Sequence, residues 1–348
     1  MAFVNVKWVL EVIDRVLSKF DVPSDKRKIV ADSILHAHQT GKDTHGISRL
    51  PIYVKKIKNG SLLAKVDIEV IRDTPVIKTI NGNHGFGQVI AYYAMQDAIE
   101  KARNFGIGIV GIKNSNNFGT IAYFLEQSTK QNMISVVMTN AAPAISPWGG
   151  EKAIFGTNPI GFGFPTPNPY ADIIFDMATT VVARGKIRLA AKNQKEIPLG
   201  WALDENGCPT TDPTAALKGT LLPIGGHKGS GLSMMVDLFS GLLPGAGFAG
   251  AVKPLNTEGE YSGNGHFFMV LNPMFFMNKE EYEERITHFI QTIKASSQGS
   301  TVFYPGERAH KTRLERQINF DLSEKVYSEI LTLLTDLNIE IKPADDIK

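Results

Sequence analysis

The spacing of apolar positions changes twice along the chain, and the changes outline its architecture. Near the N-terminus these positions recur every three or four residues. Val9, Ile13, Val16 and Leu17 form one helical stripe, and Val30, Ile34, Ala37 and His38 form another behind an N-cap expected at Ser24. From about Val76, short β-branched runs alternate with longer helical blocks. Val76–Ile80, Ile107–Ile112 and Ile134–Thr139 read as strands, and Gln88–Arg103 and Thr120–Lys130 as helices. Residues 141–180 are rich in Gly and Pro and predict loops around short strands such as Asp172–Phe175. Helical spacing returns over Val181–Ala191 and from Gly229 to about Leu243, a strand over His266–Leu271, and helices again over Glu280–Lys294 and Leu322–Leu337. The pattern predicts an α/β fold with layers of helix on a sheet. It also divides the chain into a mainly helical subdomain, 1–75 plus 296–348, formed by the two termini, and an α/β unit, 76–295.

Composition narrows the function. With 43% hydrophobic and 21% charged residues, the 348-residue chain falls among globular proteins. Lys+Arg 37 against Asp+Glu 35 leaves a net charge of +2, too little basic excess for a chain whose main partner is nucleic acid. Apolar runs such as Ile107–Ile112 are far shorter than the ~20 residues of a membrane helix. The opening MAFVNVKWVLEVIDR lacks the basic and apolar regions of a secretory signal, so a cytoplasmic protein is expected. Cys208 is the single cysteine, which excludes an intrachain disulfide and a Cys-cluster metal site. No HExxH, EF-hand or two-His-carboxylate spacing occurs, and no metal is expected. No G-x-S-x-G elbow occurs, and Cys208 has no evident base, which argues against a hydrolase.

Three glycine clusters are candidates for cofactor binding. Gly106-Ile-Gly-Ile-Val-Gly111 matches G-x-G-x-x-G, but its glycines lie inside an expected strand and no helix follows directly, so it is rejected as a dinucleotide turn. Gly82-Asn-His-Gly-Phe-Gly87 joins an expected strand to a helix and suits either a tight turn or an anion site. Gly225-Gly-His-Lys-Gly-Ser-Gly231 opens the helix LSMMVDLFSGLL, where backbone donors, the helix dipole and Lys228 could meet a phosphate, a carboxylate or the pyrophosphate of a dinucleotide. An ordinary glycine-rich helix start is the alternative.

His36 and His38 stand two residues apart on an expected helix, too divergent to share a metal. Asp32 and His36 read as a solvated i, i+4 pair. His84, His288 and His310 read as loop or surface residues. His45 lies in a polar segment with Arg49 and Tyr53 close by. A titratable imidazole, a guanidinium able to hold a carboxylate by two hydrogen bonds, and a phenol suit an α-keto or α-hydroxy acid.

Seven segments, in order over nearly the whole chain, make it similar to the type-2 malate/L-lactate dehydrogenases. That family also holds ureidoglycolate dehydrogenase, sulfolactate dehydrogenase, diketogulonate reductase and piperideine-2-carboxylate reductase. The segments are Asp43-Thr-His-Gly-Ile-Ser-Arg-Leu50, Asn114-Ser-Asn-Asn-Phe-Gly119, Pro147-Trp-Gly-Gly150, Gly156-Thr-Asn-Pro159, Asp176-Met-Ala-Thr-Thr180, the LLPIGGHKG run over 221–229, and Tyr304-Pro-Gly-Glu307. The resemblance implies a non-Rossmann NAD(P)-binding fold of the sulfolactate dehydrogenase type, NAD or NADP as cofactor with NAD preferred, and a homodimer. It implies a small 2-hydroxy acid and its 2-oxo acid as substrates, malate and oxaloacetate first. Lactate, ureidoglycolate, an imine acid or non-catalytic nicotinamide binding are the alternatives. By the same resemblance His45 is the proton donor or acceptor, and Arg49 and Tyr53 face the substrate carboxylate. Asp176, Met177, Ala178, Thr179, Thr180, His227, Lys228, Gly306, Glu307 and Arg308 would hold the cofactor. Two positions depart from the family pattern. Asn117 stands where many members carry a histidine, the catalytic base in ureidoglycolate dehydrogenase, and an amide cannot exchange a proton near neutral pH. Ser230 stands where a tyrosine is common.

Overall fold

A computed structural model describes residues 2–65, 67–255 and 257–342. In chain order, the first third holds β1 (Ala2–Asn5), α1 (Val6–Ser18), α2 (Ser24–Gln39), α3 (Leu50–Lys58), β2 (Glu69–Asp73), β3 (Ile77–Asn81), α4 (Gly87–Phe105) and β4 (Ile107–Ser115). The middle holds α5 (Ile121–Thr129), β5 (Ile134–Thr139), β6 (Ile160–Phe164), β7 (Ile173–Met177), α6 (Arg184–Lys192), β8 (Ala202–Leu203), α7 (Pro213–Lys218) and β9 (Thr220–Leu221). The remainder is α8 (His227–Asp237), β10 (Asn264–Leu271), α9 (Lys279–Ala295), α10 (Glu307–Glu315), β11 (Asn319–Leu322) and α11 (Glu324–Asp336).

A seven-stranded mixed sheet in the order β2-β3-β4-β10-β5-β6-β7 forms the centre. Only β3 and β4 run parallel, which is not the arrangement of a dinucleotide-binding Rossmann sheet. Ile90, Ala94, Ala98 and Ala102 of α4 and Phe124 and Leu125 of α5 bury one face against Val110, Ile112, Val137 and Phe268. The segment around 238–244 lies on the other face, where Pro244 sits 3.3 Å from where a Cβ on Gly111 would be. Gly106 ends α4 as its left-handed C-cap, and Gly108 and Gly111 lie within β4, so the G-x-G-x-x-G match forms no phosphate turn. Around Gly82, the amides of Gly82, Asn83, His84 and Gly85 all bond to backbone or to Asn81, and Asn116 caps the carbonyls of His84 and Gly85. The amides of residues 82–85 are therefore taken up within a tight turn that leads into α4.

A second core joins the ends of the chain. Trp8, Val12 and Val16 of α1, Val30 and Ile34 of α2, and Leu50 and Tyr53 of α3 pack with Phe320, Leu322, Ile330 and Leu334. β1 pairs antiparallel with β11, so two four-residue strands too short to stand out in the sequence form only when the termini meet. Residues 69–73, which lie in the N-terminal stretch expected to be helical, form β2 at the edge of the central sheet. Residues 343–348 lie outside the described residues.

Several local expectations are corrected. Ser24 is the first helical residue of α2; Pro23 occupies the N-cap position at φ −56°, ψ 146° and makes no side-chain cap bond. Residues 181–183 do not join α6, because the Val181 amide bonds to Leu222 and Thr180 bridges Pro223. The helix expected from Gly229 starts earlier, at His227, and passes into a π-helical turn over Leu238–Leu242. Asp32 pairs with Lys28, not His36. His36 is buried where α2 meets α5, with Nε2 2.8 Å from Glu126 Oε1. His84 is half-buried and stacks on Tyr261 at 3.7 Å between ring centroids.

His266 sits in the middle of β10 with no exposed surface, its ring nitrogens 2.7 Å from Thr139 Oγ1 and 2.8 Å from Ser115 Oγ. Burial pushes it down to about 3. An unfolded histidine titrates near 6.5, so between the two values the unfolded chain binds the extra proton and stability is lost as pH is lowered, by at most about 1.4 kcal/mol per pH unit. Urea midpoints should therefore drop as pH is lowered from 7 to 4.5, and the drop should shrink in His266→Asn. An equal pH dependence in the variant would remove His266 as the cause.

Candidate active site

Residues 43–49 leave α2 as two single 3₁₀ turns, Asp43–His45 and Ile47–Arg49, and run straight into α3. The Nε of Arg49 donates to the Thr44 carbonyl at 2.7 Å, which folds the segment on itself and sets the guanidinium beside His45. His45 is partly buried. Its Nδ1 lies 3.2 Å from Thr44 Oγ1, and its Nε2 has no hydrogen-bond partner among the described residues. Burial first, then the charges of Arg49 and Lys42, push its imidazole down to about 3. His45 is thus neutral at physiological pH in the free protein. Tyr53 lies a turn along α3, 1% exposed, its hydroxyl accepting from Gln88 Nε2 at 2.6 Å. The phenol is lodged in the core, with its own proton still available.

Arg49 lines a cleft of about 570 Å³ whose walls also carry Asn117, Arg184, Arg188, Lys253 and Asn264. Among the described residues no carboxylate lines it. Arg184 is tethered through Nη2 to the Leu217 carbonyl at 2.8 Å, and Lys253 pairs with Glu260 at 2.9 Å. Arg188 makes no hydrogen bond or ion pair among the described residues. Burial lowers Arg49 and Arg184, and the charge of Arg188 adds to the effect on each. Three guanidinium groups held together without a counter-ion make a site for an anion with more than one negative charge. The two arginines of α6 escaped the sequence reading. The signal was a pair at i, i+4 in the helical block expected over Val181–Ala191, but nothing local connects it to Arg49.

The residues expected at the cofactor fall into two neighbouring places. Asp176 at the end of β7, Gly306 and Arg308 at the start of α10, and Lys42 line a second cleft of about 380 Å³. Gly306 has φ +97°, and a Cβ there would lie 2.6 Å from the Asp172 carbonyl, so only glycine makes this helix start. Asp176 accepts from the Ala122 amide at 3.2 Å, and burial raises its carboxyl. Glu307 is taken up by an ion pair with Lys294, and the Arg308 guanidinium sits 4.7 Å over the Phe303 ring. The charge of Lys42 acts on both His45 and Asp176, so this cleft adjoins the turn that carries His45.

Met177, the last residue of β7, and Ala178 after it are partly buried, and Thr179 is wholly buried with its hydroxyl donating to the Thr157 carbonyl at 3.0 Å. The Thr180 Oγ1 is buried and has no partner. The Ile224 amide bonds to the Thr179 carbonyl at 2.9 Å, which sets this stretch against the turn that opens α8. In α8 the first amide bonded back is that of Ser230, to the Gly226 carbonyl, so the amides of His227, Lys228 and Gly229 point free of the helix. Lys228 is exposed, and the His227 ring meets Trp148 at 6.1 Å. Ser230, at the family's usual tyrosine position, is buried and accepts from the Trp148 amide at 2.9 Å. Among the described residues no group of three or more His, Cys, Asp or Glu could hold a metal.

The family model described as malate/L-lactate dehydrogenase matches residues 4–331. The chain belongs to this family. At family level its activity is that of a 2-hydroxy acid dehydrogenase. It is 39% identical over 331 residues to the malate/(S)-sulfolactate dehydrogenase of Methanothermus fervidus, covering 95% of this chain and 96% of that one. Its structure matches the sulfolactate dehydrogenase of Methanocaldococcus jannaschii with a TM-score of 0.91 at 36% identity, covering 99% of each chain. Some relatives carry a nucleotide in their names, among them a (2R)-3-sulfolactate dehydrogenase of Chromohalobacter salexigens with NADP(+), 34% identical over 90% of this chain and 92% of that one, and a ureidoglycolate dehydrogenase of Escherichia coli with NAD(+), 32% identical over 85% of each. No helix among the described residues is long and apolar enough to cross a membrane.

Proposed function

We propose that this dehydrogenase interconverts a dianionic 2-hydroxy acid and its 2-oxo acid with NAD(P), malate and oxaloacetate first. The observation that carries this reading is the cleft where Arg49, Arg184 and Arg188 gather with no carboxylate. A monoanion such as lactate would leave two guanidinium groups without a partner. Sulfolactate, a dianion of similar size, is a second reading, favoured by the same cleft and by the names of the relatives.

The chain's own groups suit a nicotinamide dinucleotide. The free amides of α8, Lys228, the unpartnered Thr180 hydroxyl and the α10 start beside Arg308 offer donors and positive charge to phosphates and ribose. When bound, such a cofactor would supply the hydride acceptor for oxidation at C2 of the hydroxy acid and the hydride donor for the reverse reduction. His45, neutral before substrate arrives, takes the hydroxyl proton on Nε2 during oxidation and gives it back during reduction. Arg49 holds the C1 carboxylate and so aims the C2 oxygen at His45. Bound carboxylates also offset the charges that depress His45, so it gains proton affinity when substrate is in place. Asn117 supports the substrate by hydrogen bonds alone.

The test is purified protein with NADH or NADPH against oxaloacetate, sulfopyruvate, pyruvate and 2-oxoglutarate, followed at the nicotinamide absorbance. The dianions should exceed pyruvate in kcat/KM by at least about tenfold, the scale of one charge-assisted contact. Stoichiometric NADH binding with no turnover would mark a non-catalytic relative.

We also propose a homodimer. Met234, Met235, Leu238, Phe239, Leu242 and Leu243 of α8 and its π-helical extension are exposed on one element, and a second copy would cover them. Leu238→Glu/Leu242→Glu should shift the mass in light scattering to that of a single 38.1 kDa chain. A wild-type protein already at that mass would overturn the dimer.

A further inference from the structure

We propose that His38 is a positioning residue for the proton-transfer turn, holding His45 in place through the Ile47 amide, and that Asp43 and Arg316 extend this hold to helix α10. The proposal rests on the reading of His45 as the proton-transfer group.

His38 closes α2 and is 1% exposed, stacked on Phe320 of β11 at 4.7 Å and 20°. Its Nε2 lies 2.7 Å from the Ile47 amide, and its Nδ1 lies 3.1 Å from Asp43 Oδ1. An amide can only donate, so Nε2 is the acceptor. The ring proton therefore sits on Nδ1 and donates to Asp43. One imidazole thus bonds residues on both sides of His45 and fixes the span of the turn that carries it. Gly46 supplies the room, since a Cβ there would lie 2.1 Å from His38 Nε2. A side chain at 46 would expel the ring that defines the turn.

The chain of contacts continues outward. Arg316 Nη1 donates both to Asp43 Oδ1 at 2.9 Å and to the His38 carbonyl at 2.8 Å. Burial works to raise the Asp43 carboxyl, but the His38 hydrogen bond and the Arg316 charge prevail and hold it below the usual carboxylate range. Arg316 directly follows α10, whose first residues line the cleft beside Lys42. A shift of α10 is thereby transmitted to the turn that bears His45. Hydrogen bonds of this kind matter because a misplacement of about 1 Å at a reacting group can cost on the order of 10²-fold in rate.

The experiment compares His38→Gln with His38→Asn in the full-length protein. The glutamine Oε1 reaches the place of Nε2 and can accept from Ile47, whereas the same amide on asparagine falls one methylene short. His38→Asn should lose on the order of 10²-fold in kcat, with KM and NADH affinity within about threefold of wild type. His38→Gln should recover kcat to within about threefold of wild type. In the background of His45→Ala, His38→Asn should cause no further loss, because it acts through His45. If His45→Ala keeps wild-type turnover, the His45 reading itself fails. If His45→Ala collapses while the Asn and Gln variants are alike, or while the two losses multiply, the positioning role alone is overturned. Arg316→Met leaves the ring in place and should lower kcat about tenfold at constant NADH affinity. Wild-type kcat in that variant overturns the proposal, whether or not His38→Asn folds.

Discussion

Replacing His45 with alanine is expected to reduce kcat for hydroxy acid oxidation by roughly 10²–10⁴-fold, the usual worth of a positioned acid or base. The direction follows from where the proton must go. Nε2 is the ring atom left free by the Thr44 contact, and Asn117, which lines the Arg49 cleft, cannot exchange a proton. NAD(P)H affinity should stay nearly constant, because the groups proposed to hold the cofactor lie at α8 and α10. With the imidazole held down to about 3 in the free protein, kcat/KM for oxidation should not lose its base as pH falls from 7 to 5. A loss centred near 6.5 would show an unperturbed histidine instead. Steady-state rates of the wild type and His45→Ala across this pH range, with NADH fluorescence titration alongside, decide the matter. Turnover of His45→Ala equal to wild type would end the assignment.

The second large effect is expected at Arg188. Unlike Arg184, which is tethered to a backbone carbonyl, and Lys253, which is paired with Glu260, Arg188 has no partner among the described residues and stands ready for the distal anionic group. Arg188→Met should raise KM for malate by about 10- to 100-fold, corresponding to a charge-assisted bond of roughly 1.5–3 kcal/mol. KM for lactate should change little, since lactate has no second anion. Arg49→Lys gives the contrasting pattern. It replaces a planar fork with a point charge at the shared C1 carboxylate and should weaken malate and lactate alike. If Arg188→Met affected both substrates equally, Arg188 would not read the distal group, and the selection of dianions would need another source.

Much of the central sheet and its helices was legible in the sequence. β5 matches the expected strand at both ends, and α4 and β4 were placed within a few residues, because a half-buried strand or helix writes its period into its own residues. Legibility failed where a partner distant in sequence makes the element. β1 and β11 exist only as a pair, and residues 181–183 are drawn out of α6 by Leu222 and Pro223. The histidines show the same boundary. Spacing reads His36 as a surface group, yet α5 and α10 close over its side of α2 and pair it with Glu126, itself bound to Arg313. Burial works to raise the Glu126 carboxyl, but His36 and Arg313 prevail and hold it down to about 2.

By itself, the order of residues determined the class of fold, the family and the short segments that hold His45, Arg49, Lys228 and Gly306. Tertiary structure alone decided that His45 is neutral, that His38 and Asp43 frame it, and that two arginines of α6 join Arg49 in one cleft. The physical reason is range. Periodicity and turn chemistry act over a few residues and are written locally, whereas burial depends on how the whole chain packs and the gathering of Arg184 and Arg188 with Arg49 on segments more than a hundred residues apart coming to lie side by side.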